Sequence, residues 1–165
     1  MTDDKLTIRS YLSSDKEKCL DAFQSNVPQF FTTTEIGEFS EWLDSLNEFV
    51  TVENRTDESY YYVAELNGKI VGGGGFGYDN SASEATLAWG FVAESHHRQG
   101  IGGKLLEFRL RQIKKLFPSA AVLLDTTQHS YRFFQKAGFA ITKITKDSYS
   151  VGMDRYDMKL EQDSK

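Results

Sequence analysis

His97-Arg98-Gln99-Gly100-Ile101-Gly102-Gly103-Lys104 follows an apolar run, Leu87-Ala88-Trp89-Gly90-Phe91-Val92. It precedes Leu105, Leu106, Leu110, Ile113 and Leu116, which recur at helical spacing. A strand, a glycine turn carrying basic residues and a helix N-terminus together make an anion site. The helix start offers unpaired N–H groups and a partial positive charge, and glycine lets a phosphate approach the backbone. The stretch predicts a phosphate-bearing ligand. It fits neither common nucleotide loop. Position 105 is Leu, so the third glycine of a dinucleotide fingerprint is missing. Lys104 lacks the preceding G-x-x-x-x-G of a P-loop and is followed by Leu rather than Ser or Thr.

Outward from this loop, the chain reads as alternating elements. Leu6-Thr7-Ile8-Arg9 is a short strand. Ser13 or Ser14 is expected to cap a helix burying Cys19, Leu20 and Phe23, and Thr34 to cap a second carrying Ile36, Phe39, Leu43 and Leu46. Residues 60–66 form a strand, and Asn67-Gly68 turns it into Lys69-Ile70-Val71. Gly72 to Gly75 follow. Glycine weakens a strand interior, so this run implies a bulge, tight packing, or a ligand or second backbone lying against it. Thr86 to Val92 is the next strand, then a helix from Gly100 to Phe117 stopped by Pro118. Residues 120–124 read as a buried strand and 130–136 as a short helix closed by Gly138. Strands at 139–143 and 153–160 flank a turn-rich connection, Thr145 to Gly152. The order β-α-α-β-β-β-α-β-α-β-β predicts one α/β domain of α+β type over residues 1–165.

Composition agrees. The 165 residues are 39% hydrophobic, with 12 Phe, 8 Tyr and 2 Trp, enough for one sizeable core. A net charge of −5 disfavours nucleic acid, which needs a basic face. A single cysteine, Cys19, excludes an intrachain disulfide and a cysteine metal cluster. The three histidines lack metal-ligand spacing, and no G-x-S-x-G turn is present, so neither a metal centre nor a serine triad is expected. The polar start Met1-Thr2-Asp3-Asp4 does not read as a secretory leader, and no apolar run of about 18 residues offers a membrane span. A cytoplasmic protein with no membrane contact is the expectation.

With the elements placed, the loop resembles that of the GNAT N-acetyltransferases. Their Q/R-x-x-G-x-G/A motif joins the fourth strand to the third helix and holds the pyrophosphate of acetyl-CoA. His97 to Gly102 is similar to it, followed by Gly103-Lys104-Leu105-Leu106. Tyr131-Arg132-Phe133-Phe134-Gln135-Lys136-Ala137-Gly138-Phe139 resembles the family's second mark, F-Y-x-x-x-G-F, in the expected short helix. The element order also matches, over about residues 6–160. More loosely, Trp89-Gly90-Phe91-Val92, Asp125-Thr126-Thr127-Gln128 and Asp154-Arg155-Tyr156-Asp157-Met158 look like a bacterial-type branch of the family.

The resemblance implies a mixed, mostly antiparallel sheet of about six or seven strands with about four helices. It implies an acetyl-CoA-dependent N-acetyltransferase, with direct attack by a primary amine of a small molecule, amino acid or peptide and no metal. Cofactor contacts would come from Phe91, Val92, His97, Arg98, Gln99, Gly100, Ile101, Gly102, Gly103, Lys104, Thr127 and Phe134. Of the strand pair Trp89 and Phe91, one is expected in the core and the other in the pocket. The Gly90 N–H is the implied oxyanion donor. The catalytic side chains depart from the family pattern. Thr86 stands where some members place a general-base Glu, which leaves Glu84, two residues earlier, as the candidate base. Phe134 stands where many place an acid Tyr, which leaves Tyr131, with His129 and Tyr149 as further candidates. Thr127 replaces a common Asn. The acidic residues of the second helix, Glu35, Glu38, Glu41, Asp44 and Glu48, suit an amine acceptor. A rival reading is a non-catalytic acyl-CoA-binding or regulatory module. Homodimers are frequent in the family.

Overall fold

The computed structural model describes residues 5–46 and 57–162. Its strands are β1 (Leu6–Ser10), β2 (Asp57–Leu66), β3 (Lys69–Asp79), β4 (Glu84–Val92), β5 (Ala121–Thr126), β6 (Ala140–Ser150) and β7 (Met153–Leu160). Its helices are α1 (Lys16–Gln24), α2 (Thr33–Ser45), α3 (Ile101–Leu116) and α4 (Tyr131–Lys136). One seven-stranded sheet runs β1-β2-β3-β4-β5-β7-β6. Every pairing is antiparallel except β4 with β5. The expected fold class and element order stand.

Local chemistry sets the boundaries. Asn67 and Gly68 both take positive φ, 53° and 82°, as the tight β2–β3 hairpin requires. α2 opens with a reciprocal cap. Thr32 Oγ1 accepts from the Glu35 N–H at 3.4 Å, and Glu35 Oε1 accepts from the Thr32 N–H at 2.9 Å. The capping residue is therefore Thr32, two positions before the expected Thr34. α1 begins at Lys16, after a 3₁₀ turn over Ser13–Asp15, and neither serine caps it by a side-chain bond. Asp15 instead accepts from the Leu12 N–H and pairs with Arg9 at 2.8 Å. α4 closes as expected at Gly138, φ 105°, where the Phe139 N–H reaches the Phe134 carbonyl.

The expected loop from Thr145 to Gly152 is mostly strand: β6 continues to Ser150 and turns at Val151-Gly152. β6 is an edge strand exposed along much of its length, so its sequence carries no apolar alternation to announce it. Glu48 lies outside the described residues.

Both faces of the sheet are covered, so consecutive β2 residues are buried on opposite sides. Tyr61 and Val63 join Cys19, Phe23, Phe39 and Leu43 under α1 and α2. Tyr62 joins Phe76, Leu87, Leu106, Ile113, Leu124 and Met158 on the α3 side. No helix among the described residues is long and apolar enough to cross a membrane.

Candidate active site

The site begins where two parallel strands part. β4 pairs with β5 only from Glu84 to Thr86, against Ala121 to Leu123. Beyond Thr86, β4 remains bound to β3 alone, so its other edge lies open toward the glycine loop. Within this open stretch the register on β3 slips. Gly73 faces Phe91 while Gly75 faces Ala88, which leaves Gly74 opposite both Trp89 and Gly90. Trp89 takes φ 50°. This is a β-bulge, and it re-aims the residues around it. Leu87 faces the α3-side core, whereas Trp89 and Phe91 both face α1 and α2. Phe91 is buried in this core, and Trp89 is half-buried at its edge. Both pack on Phe23 and Phe39, with Trp89 stacked on Phe39 at 5.1 Å.

The glycine run is the counterpart of this bulge. On the α1/α2 face, the Tyr61 hydroxyl donates to the Trp89 carbonyl at 2.8 Å. A Cβ at Gly73 would stand 2.6 Å from that hydroxyl oxygen. On the other face, α3 sends Arg109 beneath the bulge. A Cβ at Gly74 would lie 2.9 Å from its guanidinium carbon, and one at Gly90 would lie 2.8 Å from Nη2. Gly75 is closed by backbone: a Cβ there would meet the Tyr60 carbonyl oxygen at 2.0 Å. The bare strand thus admits Tyr61 from one side and Arg109 from the other.

The glycine loop completes the open edge. Arg98 and Gly100 take φ 64° and 80°, and the first intrahelical bond runs from the Lys104 N–H to the Gly100 carbonyl. The N–H groups of the turn before it, at Ile101, Gly102 and Gly103, have no intrahelical acceptor. Arg98, Gln99, Gly100 and Lys104 are exposed, and nothing lies within 4 Å of a Cβ placed at Gly100 or Gly103. Val92 and Phe133 flank Gly102. Exposed backbone and unpaired N–H groups at a helix start are the features an anion site requires. His97 serves it indirectly. Its Nε2 bonds to the Val92 carbonyl at 2.8 Å, which also accepts from Asn26. The ring thereby ties the loop to the end of β4. Phe30 bridges the mouth, edge-on to His97 at 5.5 Å and to His129 at 5.9 Å.

Titratable groups converge on the α2 side of the same opening. Phe39 stacks on Trp89, and Glu35 lies one helical turn before Phe39 on α2. Glu35 interacts electrostatically with Asp125 on β5 and Tyr149 on β6. The Tyr149 hydroxyl donates to Asp125, and Arg155 on β7 stands 3.8 Å from the same carboxylate. Burial pushes the Glu35 carboxyl above its ordinary value, against the pull of the Thr32 cap. Burial, then the bond to Asp125, pushes the Tyr149 phenol far up.

The remaining candidates are scattered. Glu84 sits at the closed end of β4, six residues and about 20 Å along the strand from Gly90, so the fold does not bring it to the opening. Tyr131 stacks on Tyr156 at 4.4 Å, and its hydroxyl accepts from Arg132. Thr127 is buried, its Oγ1 accepting from the His129 N–H. Phe134 packs against Phe133 and Phe139. Burial pushes the Cys19 thiol up to about 12, so it is no nucleophile at neutral pH. No cluster of three or more metal-ligating side chains occurs among the described residues. Sequence reasoning missed Arg109, Tyr61, Asp125 and Arg155. Arg109 carried a readable signal, an arginine at a buried helical position between Leu106 and Ile113.

A family model described as an acetyltransferase (GNAT) domain matches residues 57–141, just over half of the chain. The chain belongs to this family of N-acetyltransferases. It is 27% identical over 114 residues to an N-alpha-acetyltransferase of Sulfurisphaera tokodaii, covering 61% of this chain and 68% of that protein. Solved structures share the fold. A GNAT-family protein from Desulfovibrio desulfuricans superposes with a TM-score of 0.79 at 20% identity, covering 95% of this chain and 99% of that one. The ribosomal-protein-S18-alanine N-acetyltransferase of Escherichia coli gives 0.72 at 18%, covering 95% and 94%. An acetyltransferase from Salmonella typhimurium, solved with its cofactor acetyl-CoA, gives 0.73 at 17%, covering 96% and 95%.

Proposed function

We propose that this chain transfers an acetyl group from acetyl-CoA to a free primary amine, with peptide N-termini and small amines as the acceptor class. Family membership supplies the reaction type. The observation that carries the acceptor is the Glu35, Asp125, Tyr149 and Arg155 cluster beside the open β4 edge.

Acetyl-CoA supplies a thioester already activated for attack. The protein's part is to hold it, orient the amine and handle one proton. The Ile101, Gly102 and Gly103 N–H groups, with Arg98 and Lys104, receive the diphosphate. The open edge from Gly90 to Val92 aligns the pantetheine arm, and the Gly90 N–H meets the carbonyl oxygen as charge develops there. A lysine-type amine has a pKa near ~10.4 and arrives as an ammonium. Glu35, a carboxylate with raised proton affinity, is better placed than Glu84 to take that proton. Asp125 attracts the cation, and Tyr149 and Arg155 fix the Asp125 carboxylate. Tyr131, one helical turn before the Phe134 position on α4, remains the candidate proton donor to the departing thiolate.

The test is amine-dependent release of free CoA thiol across a panel of N-terminal peptides, amino acids and polyamines. Glu35→Gln should lower kcat by about 10²-fold or more with CoA affinity retained. Tight CoA binding with no release against any acceptor would favour a non-catalytic acyl-CoA-binding module. Unchanged kcat in Glu35→Gln would remove Glu35 as the base.

A further inference from the structure

The least economical side chain in this molecule is Arg109. It is only 4% exposed, yet it makes no ion pair among the described residues. Nη1 makes one hydrogen bond, to the Gly75 carbonyl at 3.2 Å, and the buried Nε has no hydrogen-bond partner. Among the described residues its electrostatic neighbour is the Tyr61 phenol, which burial holds neutral. Burial lowers the guanidinium to about 10, so it stays a cation at neutral pH.

Burying a cation without a partner is costly, and an apolar side chain of similar volume usually packs there at no loss. The neighbouring inward positions of α3 are apolar, Leu105, Leu106 and Ile113. Arg109 also constrains its surroundings, because Gly74 and Gly90 leave room for the guanidinium only by lacking side chains. That space lies directly under the bulge, next to the backbone of Gly90. Tyr61 holds the same bulge from the opposite face through the Trp89 carbonyl.

Resting on the reading that the thioester carbonyl meets the Gly90 N–H, we infer that Arg109 is a positioning residue for acetyl transfer. Its guanidinium props the Trp89–Gly90 bulge from beneath and places a fixed positive charge behind the oxyanion donor. It neither touches the acetyl group nor exchanges a proton. A charge fixed in a low-dielectric site acts without solvent reorganisation as the oxyanion forms.

The test uses acetyl-CoA carrying carbon-13 at the thioester carbonyl, read by difference infrared spectroscopy on the full chain. Wild type, Arg109→Met, Arg109→Gln and Arg109→Lys are compared for carbonyl frequency, CoA affinity and Tm. Wild type should lower the carbonyl frequency on binding, and Arg109→Lys should keep most of that shift. Arg109→Met and Arg109→Gln should lose most of it while binding CoA within about threefold of wild type. Their kcat should fall about ten- to a hundredfold with KM for acetyl-CoA little changed. If Arg109→Met does not fold, Arg109→Gln against Arg109→Lys decides, since Gln keeps a donor for Gly75 without the charge. Equal carbonyl shifts in charged and uncharged variants would make Arg109 a packing residue and overturn the inference. Failure of the wild type to bind acetyl-CoA would overturn the acyl-transfer reading itself, and so is distinguishable.

Discussion

Adding one methyl to β3 should either break the sheet or firm it, depending on which glycine receives it. At Gly75 the new Cβ would stand 2.0 Å from the Tyr60 carbonyl oxygen and 2.7 Å from the Tyr61 ring. A carbon and an oxygen need more than 3 Å, so β2 and β3 must separate by about 1 Å at a central pairing of the sheet. Overpacking a core costs about 1–3 kcal/mol, and displacing backbone on both strands puts Gly75→Ala at the upper end or beyond. At Gly77, two residues on, the nearest atom to a Cβ is 3.8 Å away. Gly77→Ala removes only glycine's excess chain entropy and should stabilise by about 0.5–1 kcal/mol. A chain of this length moves about 2–4 °C in Tm per kcal/mol. Gly75→Ala should therefore unfold about 6–12 °C earlier than wild type, and Gly77→Ala about 1–4 °C later. Differential scanning calorimetry of the three proteins, at one pH and without ligand, gives the comparison. Equal Tm values for the two variants would refute the reasoning that close backbone approach, rather than strand entropy, accounts for glycine at position 75.

Other outcomes follow from the same contacts. Tyr61→Phe leaves the Trp89 carbonyl without its donor in a buried, closely packed spot, and should lower Tm by about 2–8 °C through a loss of about 1–2 kcal/mol. An unchanged melting point would mean the bulge is held by something else. Asp15 is kept below its ordinary carboxylate value by Arg9, chiefly through their hydrogen bonds. A depressed carboxylate contributes stability above the unfolded pKa, near ~3.9, and loses it as pH falls through the lower folded value. Asp15→Asn should thus cost about 1.5–3 kcal/mol at neutral pH, and its stability should fall less steeply below about pH 4. Arg98→Ala and Lys104→Ala should each weaken CoA binding about two- to fivefold at low salt, with a smaller difference at high salt, by titration calorimetry.

The element order and the glycine-loop helix start were legible because each has a strong local signature: Asn67-Gly68 for the hairpin, Gly100 before a periodic apolar run for α3. The second half of β6 was hidden because an exposed edge strand has little to bury, and its polar residues read as a loop. Around the site, the loop backbone could be located from the chain, but the side chains that meet it could not. Glu35, Asp125, Tyr149 and Arg155 come from α2, β5, β6 and β7, and no spacing in the sequence connects them. Trp89 and Phe91, two residues apart, share a face by strand alternation, but the bulge sets that face opposite to the one Leu87 takes, which no local pattern announces. The run Gly72 to Gly75 announced close packing without naming the partner. Tyr61 at Gly73, Arg109 at Gly74 and the Tyr60 carbonyl at Gly75 supply it.

The most direct test of the account is thermal unfolding of the wild-type chain with acetyl-CoA, CoA or ATP. A ligand present at 100 times its Kd adds about 2.7 kcal/mol, which for this length corresponds to about 5–11 °C. A rise of that size with acetyl-CoA and CoA, and none with ATP, is the predicted result. No rise with either CoA species would contradict the assignment of the open β4 edge and the glycine loop as an acyl-CoA site.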